Sequence, residues 1–232
     1  MANVQILNGE AHHALRIRTE SAAQFGEAVR FVPVVVSEMT HLVLHHPVFF
    51  SKDADTGVFY CGAMMGFDEG ENLFLGKRAP ADAYRPLNLQ RGPFFTAGNE
   101  LAIDLDHPRV GQGTGQALFQ PTGGPTAYLD SIIATMRELT AGAATTKAFI
   151  DTLLQHKLIE PISLDLSFDD GTRRDVVGLY TISQDTLHQL ADTVVIDLFR
   201  RGYLKLVYLM IASVRHVTVL ARIKNRALLD AG

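Results

Sequence analysis

Residues 162–204 read ISLDLSFDDGTRRDVVGLYTISQDTLHQLADTVVIDLFRRGYL, and this stretch decides the fold. Apolar and polar residues alternate over 162–168, and after a turn at Asp170-Gly171 the chain returns over 176–182, which predicts a β-hairpin. From Ser183 to Gly202 the apolar residues recur at helical spacing instead. We therefore expect the hairpin to join a sheet formed earlier in the chain, with helices after it.

The C-terminal segment predicts a pair of helices. Ser183 is expected to cap the first helix, whose apolar stripe consists of Leu187, Leu190, Val194 and Leu198. Gly202 supplies the left-handed residue that commonly follows a helix end. The second helix, from Tyr203 to about Ala227, is apolar nearly all round, so we expect it to be the central buried helix. Together the two helices form a helical hairpin.

The first 120 residues predict mainly β-structure. The candidate strands are Val4–Leu7, Leu15–Arg18, Phe31–Val36, Val58–Met65, Asn72–Leu75 and Leu101–Leu105. Pro33 lacks an N–H group, so its strand should lie at a sheet edge. Ser37 should cap a short helix that runs to His45, and two further helices are expected over Thr126–Thr140 and Thr145–Lys157. The fold class is α+β, with a β-rich N-terminal portion whose antiparallel sheet packs on C-terminal helices.

Residues 106–125 are the one strong break in composition. They contain Gly111, Gly113 and Gly115, but no Lys follows as a phosphate-binding P-loop requires, so a connecting loop is favoured. We expect a single domain over 1–232. A sub-division near this loop would leave a β-rich part (1–120) and a mostly helical part (126–232).

Composition excludes several classes of protein. The chain has 232 residues, 47% of them hydrophobic and 20% charged, with a net charge of −4, which excludes a disordered chain and argues against a nucleic-acid binder. Cys61 is the only cysteine, which excludes a disulfide scaffold, and its apolar neighbours predict a buried, inert thiol. The apolar stretches 29–50 and 203–223 are interrupted by charges, so we expect no membrane span and a cytoplasmic location.

Five stretches of the chain form a set of short motifs in a fixed order. They are His46-Pro47-Val48-Phe49-Phe50; Gly66-Phe67 with Glu71-Asn72-Leu73-Phe74; Tyr84-Arg85-Pro86 through Arg91-Gly92-Pro93-Phe94; Ala117-Leu118-Phe119 with Gly124-Pro125-Thr126; and Gly178-Leu179-Tyr180 through Arg201-Gly202-Tyr203-Leu204. In this order they resemble the SapC family, which is named for a bacterial locus involved in surface-layer protein secretion. The likeness covers about residues 28–225. Two departures are Lys77–Pro80, where the family usually has a Trp, and Gly92, where it has a Tyr.

The resemblance implies no particular biochemical activity, and it leaves open whether the protein catalyses any reaction. It implies a bacterial accessory protein with a peptide or protein partner, drawn from gene neighbourhoods that hold TonB-dependent receptors and halogenase-like proteins. A homo-oligomeric scaffold is a further alternative.

The residues themselves favour a binding function. Arg85 and Arg91 flank aromatic and proline residues, and a planar guanidinium in such a setting suits a carboxylate or a peptide. The candidate binding residues are Asn72, Tyr84, Arg85, Arg91 and Phe94, and the glycine-rich segment 108–125 is expected to contribute to the same binding surface. The competing interpretation is that these arginines tie loop carbonyls together. No Gly-x-Ser-x-Gly motif is present, and Cys61 has no adjacent base, so the sequence gives nucleophilic catalysis no support.

A metal-dependent enzyme is the alternative function. His41 and His45 stand four residues apart in the predicted helix, which places both imidazoles on one face. With Asp104 or Asp106 as a third ligand they would resemble the two-histidine, one-carboxylate site of non-haem iron oxygenases, and would need Fe(II) or Zn(II). The competing interpretation is that the histidines bind carbonyls or water at a helix end. We expect no cofactor.

Overall fold

The computed structural model describes residues 3–75 and 79–229, and they form an α+β fold of antiparallel sheets and helices. The chain divides into two compact units. The first unit comprises residues 1–28 and 87–141, and the second comprises residues 29–86 and 142–232. Each unit is built from two separate segments of the chain.

The first unit contains short strands and the start of the longest helix. Its elements are β1 (Val4–Ile6), α1 (Gly9–His12), β2 (Arg16–Ile17), α3 (Leu87–Gln90), β6 (Phe94–Ala97), β7 (Glu100–Asp104), β8 (Val110–Gly111), β9 (Gln116–Ala117) and the beginning of α4 (Ala127–Gln155). The strands form two three-stranded antiparallel sheets, ordered β1-β7-β6 and β8-β2-β9. Their apolar side chains pack on α4 in a core that includes Phe94, Ile103, Leu118 and Leu129.

The second unit contains a five-stranded antiparallel sheet and the C-terminal helices. Its elements are β3 (Phe31–Pro33), α2 (Met39–Leu42), β4 (Val48–Lys52), β5 (Phe59–Met64), the remainder of α4, β10 (Ile159–Ser167), β11 (Arg173–Ile182), α5 (Gln184–His188), α6 (Asp192–Arg200), α7 (Tyr203–Ser213) and α8 (His216–Leu229). The strand order is β10-β11-β4-β5-β3. Phe49 and Leu179 of the sheet pack with Leu220 and Ile223 of α8. A sheet packed on C-terminal helices, as predicted, is therefore confirmed.

Two local predictions about strands are confirmed. The Asp170-Gly171 turn joins β10 to β11, and β11 pairs with β4, so the late hairpin does extend the sheet formed by the early strands. Pro33 lies in β3 at the edge of that sheet. The expected strand at Asn72–Leu75 is wrong. Those residues form a turn, in which the Asn72 carboxamide oxygen accepts from the Phe74 N–H at 2.9 Å.

The helix boundaries differ most from expectation. The helices predicted over Thr126–Thr140 and Thr145–Lys157 are one continuous helix, α4, because the intervening residues 141–144 are three alanines and a glycine, with no polar cap or proline. The helix predicted to begin at Ser183 is instead two helices, α5 and α6. They separate at Ala191, whose backbone is extended.

The last helical segment is interrupted and only partly buried. A turn at Val214–Arg215 separates α7 from α8. Taken together, Tyr203–Leu229 is long and apolar enough by length and composition to cross a membrane, yet only 39% of its most apolar window is buried within the protein. The expectation of a helix buried on all sides is therefore wrong: one face packs inward and the other faces solvent. Gly202 precedes α7 with φ 74°, a left-handed conformation that glycine adopts without steric cost, as predicted.

Candidate functional site

The predicted binding residues are distributed over both compact units. Asn72, Tyr84 and Arg85 belong to the second unit, whereas Arg91 and Phe94 belong to the first. Lys77 and Arg78, part of the departure from the family pattern, lie outside the described residues.

Tyr84 holds two segments of the second unit together. Its ring stacks on His41, with ring centroids 5.3 Å apart and planes 22° from parallel. Its backbone carbonyl accepts a hydrogen bond of 2.6 Å from the His46 Nε2 atom. Arg85, the next residue, is half-buried. Tyr84 thus connects its own segment to the histidine-containing segment 41–46.

His46 is the most strongly perturbed histidine near Tyr84. Burial lowers its pKa from 6.5 to about 4, against the opposing effect of the Tyr84 carbonyl, and the neighbouring His45 and His216 lower it slightly further. The ring is fully buried and lies against Phe74, with centroids 4.2 Å apart. Because Nε2 donates to Tyr84, the neutral ring leaves Nδ1 as an acceptor, and Nδ1 has no partner among the described residues. A second proton would have no acceptor there.

The histidine pair of the predicted metal site does not lie on one helix. The helix α2 ends at Leu42, so His41 is in its last turn and His45 is in the irregular segment that leads to Pro47. Instead of sharing a helical face with His41, the His45 Nε2 atom lies 3.7 Å from the Asp82 carboxylate. Asp104 belongs to the other compact unit. Among residues 3–75 and 79–229, no group of three or more His, Cys, Asp or Glu side chains could hold a metal ion.

The short helix also corrects the expected N-cap. A 3₁₀ turn at Val36–Glu38 precedes α2, so Ser37 lies inside a turn rather than at a helix start. The Glu38 carboxylate accepts a hydrogen bond of 3.1 Å from the Val35 N–H, which takes over the capping role.

Arg91 organises the start of β6 in the first unit. Its Nε donates to the Asn88 side chain at 3.1 Å, and one terminal nitrogen donates to the Phe94 carbonyl at 2.8 Å. The guanidinium carbon lies 4.5 Å from the centre of the Phe95 ring, and burial lowers the pKa of the group. The Phe94 side chain is fully buried in the core. In this conformation Arg91 ties loop groups together at the beginning of the β6–β7 hairpin.

That hairpin forms one wall of a groove of about 550 Å³ that lies entirely in the first unit. The hairpin contributes Thr96, Gly98, Asn99, Glu100 and Leu101, and α4 contributes Ile133, Met136, Arg137, Thr140 and Ala141. The five helix residues follow the spacing of a single helical face. Gly98 is the first residue of the two-residue turn between β6 and β7, and its φ is 62°. Tight hairpin turns require a positive φ at this position, which glycine adopts readily.

The groove has an apolar floor and a charged rim. Leu101 and Ile133 are half-buried and Met136 is 8% exposed, so they line the floor. Glu100 and Arg137 are exposed, and neither makes an ion pair with any part of the chain that the structure describes. Apolar walls with a few polar groups are typical of ligand-binding sites.

Sequence reasoning missed this groove because its two walls lie more than thirty residues apart. Leu101, Ile133 and Met136 have the pattern of ordinary core residues, and Arg137 that of a solvated helix residue. One signal was available. Gly98-Asn99 between two apolar segments is a hairpin signature, and it would have placed Glu100 next to the turn.

The glycine-rich segment 106–125 has a structural role. Its strands β8 and β9 both pair with β2, which lies between them. At Gly115 a Cβ atom would lie 2.5 Å from the Ile17 carbonyl oxygen, so the close approach of these backbones excludes a side chain. Arg109 in the same segment is buried and forms an ion pair with the buried Glu27. Its guanidinium also donates to the Arg18 carbonyl.

The fold therefore defines an α+β protein with two compact units, an open groove in the first and a sheet packed on a helical hairpin in the second. The SapC family model matches residues 7–220, and the chain belongs to the SapC family. Comparison with curated proteins gives no match, and neither does comparison with solved structures.

Proposed function

We propose that this SapC-family chain is a non-enzymatic binding or accessory protein that holds a peptide, a protein partner or a small ligand. The observation that carries the proposal is the groove between the β6–β7 hairpin and α4, with its apolar floor and the free guanidinium of Arg137 at its rim. The floor suits an apolar side chain, and Arg137 suits a carboxylate, because a guanidinium forms two parallel hydrogen bonds with it. A peptide with a free C-terminus supplies both groups.

The proposal assigns Arg91 a positioning role rather than a ligand contact. Arg91 holds the Phe94 carbonyl where β6 begins, and β6 leads directly to Thr96 and the turn at the groove. A loose β6 would allow the hairpin wall to move relative to the floor. Of the predicted residues, Arg91 and Phe94 thus belong with the groove to one local structure within the first unit.

The direct experiment is selection from a library of peptides with free C-termini, followed by measurement of dissociation constants for the selected peptides. Arg137→Ala should weaken binding about 10- to 100-fold, the usual contribution of a hydrogen-bonded charged group. The matched control is Arg173→Ala, which removes an exposed arginine from the second unit. Equal affinity of Arg137→Ala and the unaltered protein, or selection of no peptide, would contradict the groove as the site.

A second comparison separates the groove from the loop. If Arg85→Ala and Arg91→Ala abolish capture at unchanged melting temperature while Arg137→Ala does not, the binding surface is the loop 84–94. Peptides from the receptor-like and halogenase-like neighbours that the resemblance implies are suitable additional probes.

A further inference from the structure

Charge is strongly segregated along the chain. Residues 198–229 contain seven of the 21 Lys and Arg residues and none of the 25 Asp and Glu residues. The remainder of the chain has 14 basic against 25 acidic residues. The positive segment coincides with the end of α6 and the whole of α7 and α8, all in the second unit.

Most of this positive charge is free. Lys224 pairs with Asp68 and Glu71, and Arg201 pairs with Asp197 at 3.4 Å. The other five cations are exposed and make no ion pair with the described residues: Arg200, Lys205, Arg215, Arg222 and Arg226. A cation without an internal partner remains available to an external anion.

Large apolar side chains are exposed among these cations. Phe199 is 71% exposed and Tyr208 54% exposed, and Ile196, one turn before Phe199 on α6, is 49% exposed. On α7, Lys205, Tyr208 and Ala212 are exposed at helical spacing, and on α8 the exposed residues Val219, Arg222 and Arg226 repeat the pattern. Basic and apolar residues therefore alternate along the solvent-facing side of both helices.

We infer that the exposed residues of α6, α7 and α8 form one face, and that this face docks on a bilayer surface that contains anionic phospholipid. Phe199 and Tyr208 provide side chains that enter the boundary between headgroups and acyl chains. The five free cations provide attraction to the lipid phosphates. A purely polar anion such as a nucleic acid would leave Phe199 and Ile196 without apolar contact, which is why the lipid surface fits better. In this proposal the chain lies on the membrane surface and does not cross the bilayer, because the opposite face of α7 and α8 packs in the protein core.

The test is flotation of the full chain with lipid vesicles. Vesicles of phosphatidylcholine alone are compared with vesicles that contain about 30% phosphatidylglycerol, and binding is expected only to the second. Lys205→Ala/Arg222→Ala should weaken binding about 25-fold, because each basic residue near such a surface contributes about fivefold. Phe199→Ser/Tyr208→Ser should also release the protein, and about 0.5 M salt should weaken binding by screening.

Matched controls are Arg173→Ala and Val177→Ser, which change an exposed cation and a 62% exposed apolar residue on β11 of the same unit. Both should bind vesicles as the unaltered chain does. Equal binding to the two kinds of vesicle, or no effect of the helix variants, overturns the proposal. Measurement of the molecular mass by light scattering tests the alternative that this face binds a second copy of the chain. If the helix variants convert a dimer to a monomer and no vesicle binding occurs, the face is an interface between copies and the proposal is wrong.

Discussion

Lowering the pH should destabilise the protein through His46. In the folded state the pKa of this buried ring is about 4, whereas in the unfolded chain it returns to 6.5. The unfolded state therefore binds a proton more readily. The contribution of His46 to stability is complete above pH 6.5 and is lost as the pH falls from 6.5 towards 4. Burial is the main cause, and the partnerless Nδ1 atom acts in the same direction.

The size of the effect follows from the shift. A pKa that falls from 6.5 to about 4 corresponds to about 3 kcal/mol between the two limits. Between pH 7 and pH 4.5 the free energy of unfolding should fall by roughly 2.5 kcal/mol from this residue alone. His107 and His216 also have pKa values lowered by burial, so they steepen the dependence of the whole protein in the same direction.

The contribution of His46 is isolated by comparison with His46→Gln. The amide of Gln can still donate to the Tyr84 carbonyl but does not titrate. The variant loses ring packing against Phe74, so it should be less stable at pH 7, and the difference should shrink by roughly 2.5 kcal/mol at pH 4.5. Urea unfolding followed by far-ultraviolet circular dichroism is suitable, since the chain has no Trp.

An exposed histidine provides the matched control. His13→Gln should leave the shape of the pH curve unchanged. Parallel curves for the unaltered protein and His46→Gln would refute the reasoning, and so would an NMR titration that places the pKa of His46 near 6.5.

Two further predictions concern stability. Glu27→Gln should lower the free energy of unfolding by about 3–5 kcal/mol, because it leaves the buried Arg109 without its counter-charge. In a double-mutant cycle, Glu27→Leu/Arg109→Met should cost less than the sum of the costs of Glu27→Leu and Arg109→Met measured separately. Additive costs in this cycle would contradict the prediction. Gly142→Ala should destabilise by about 1 kcal/mol despite the helix preference of Ala, because the new Cβ would lie 2.8 Å from the Val35 Cβ atom. A raised melting temperature would show that the close contact does not decide the outcome, and Ala143→Gly on the exposed side measures the helix preference alone.

The parts of the fold that the sequence predicts correctly depend on local chemistry. Asp170-Gly171 forms a turn wherever it joins two alternating segments, and Pro33 cannot donate to a neighbouring strand. Gly202 follows a helix end because few other residues adopt φ 74°. Each of these signals requires only a few neighbouring residues.

The parts that the sequence does not predict depend on residues that are distant in the chain. The continuous α4 requires Gly142 to be helical. Val35, more than a hundred residues earlier in the chain, packs where a side chain on Gly142 would lie. The separation of α5 from α6 at Ala191 has no glycine or proline to mark it. Helix ends of this kind are set by tertiary packing, which composition does not reveal.

The candidate site illustrates the same limit. The aromatic neighbours of Arg91 predict a binding role, whereas its guanidinium donates to the Phe94 carbonyl and the Asn88 side chain. Arg137 has no distinguishing sequence pattern. Of these two arginines it is Arg137 that lies beside the groove and makes no ion pair with the described residues. A residue type indicates what a side chain can bind, whereas its remaining hydrogen-bonding capacity depends on contacts that only the fold shows.

The helices α7 and α8 show how exposure changes the meaning of a pattern. A segment that is apolar nearly all round is expected to be buried, and Tyr203, Val207 and Met210 are. The same segment leaves Tyr208 exposed beside Lys205, so apolar composition does not by itself decide between a core helix and a surface helix. The deciding quantity is the mismatch between apolar content and burial. Where that mismatch coincides with unpaired cations, an amphipathic boundary such as a lipid headgroup layer satisfies both at once.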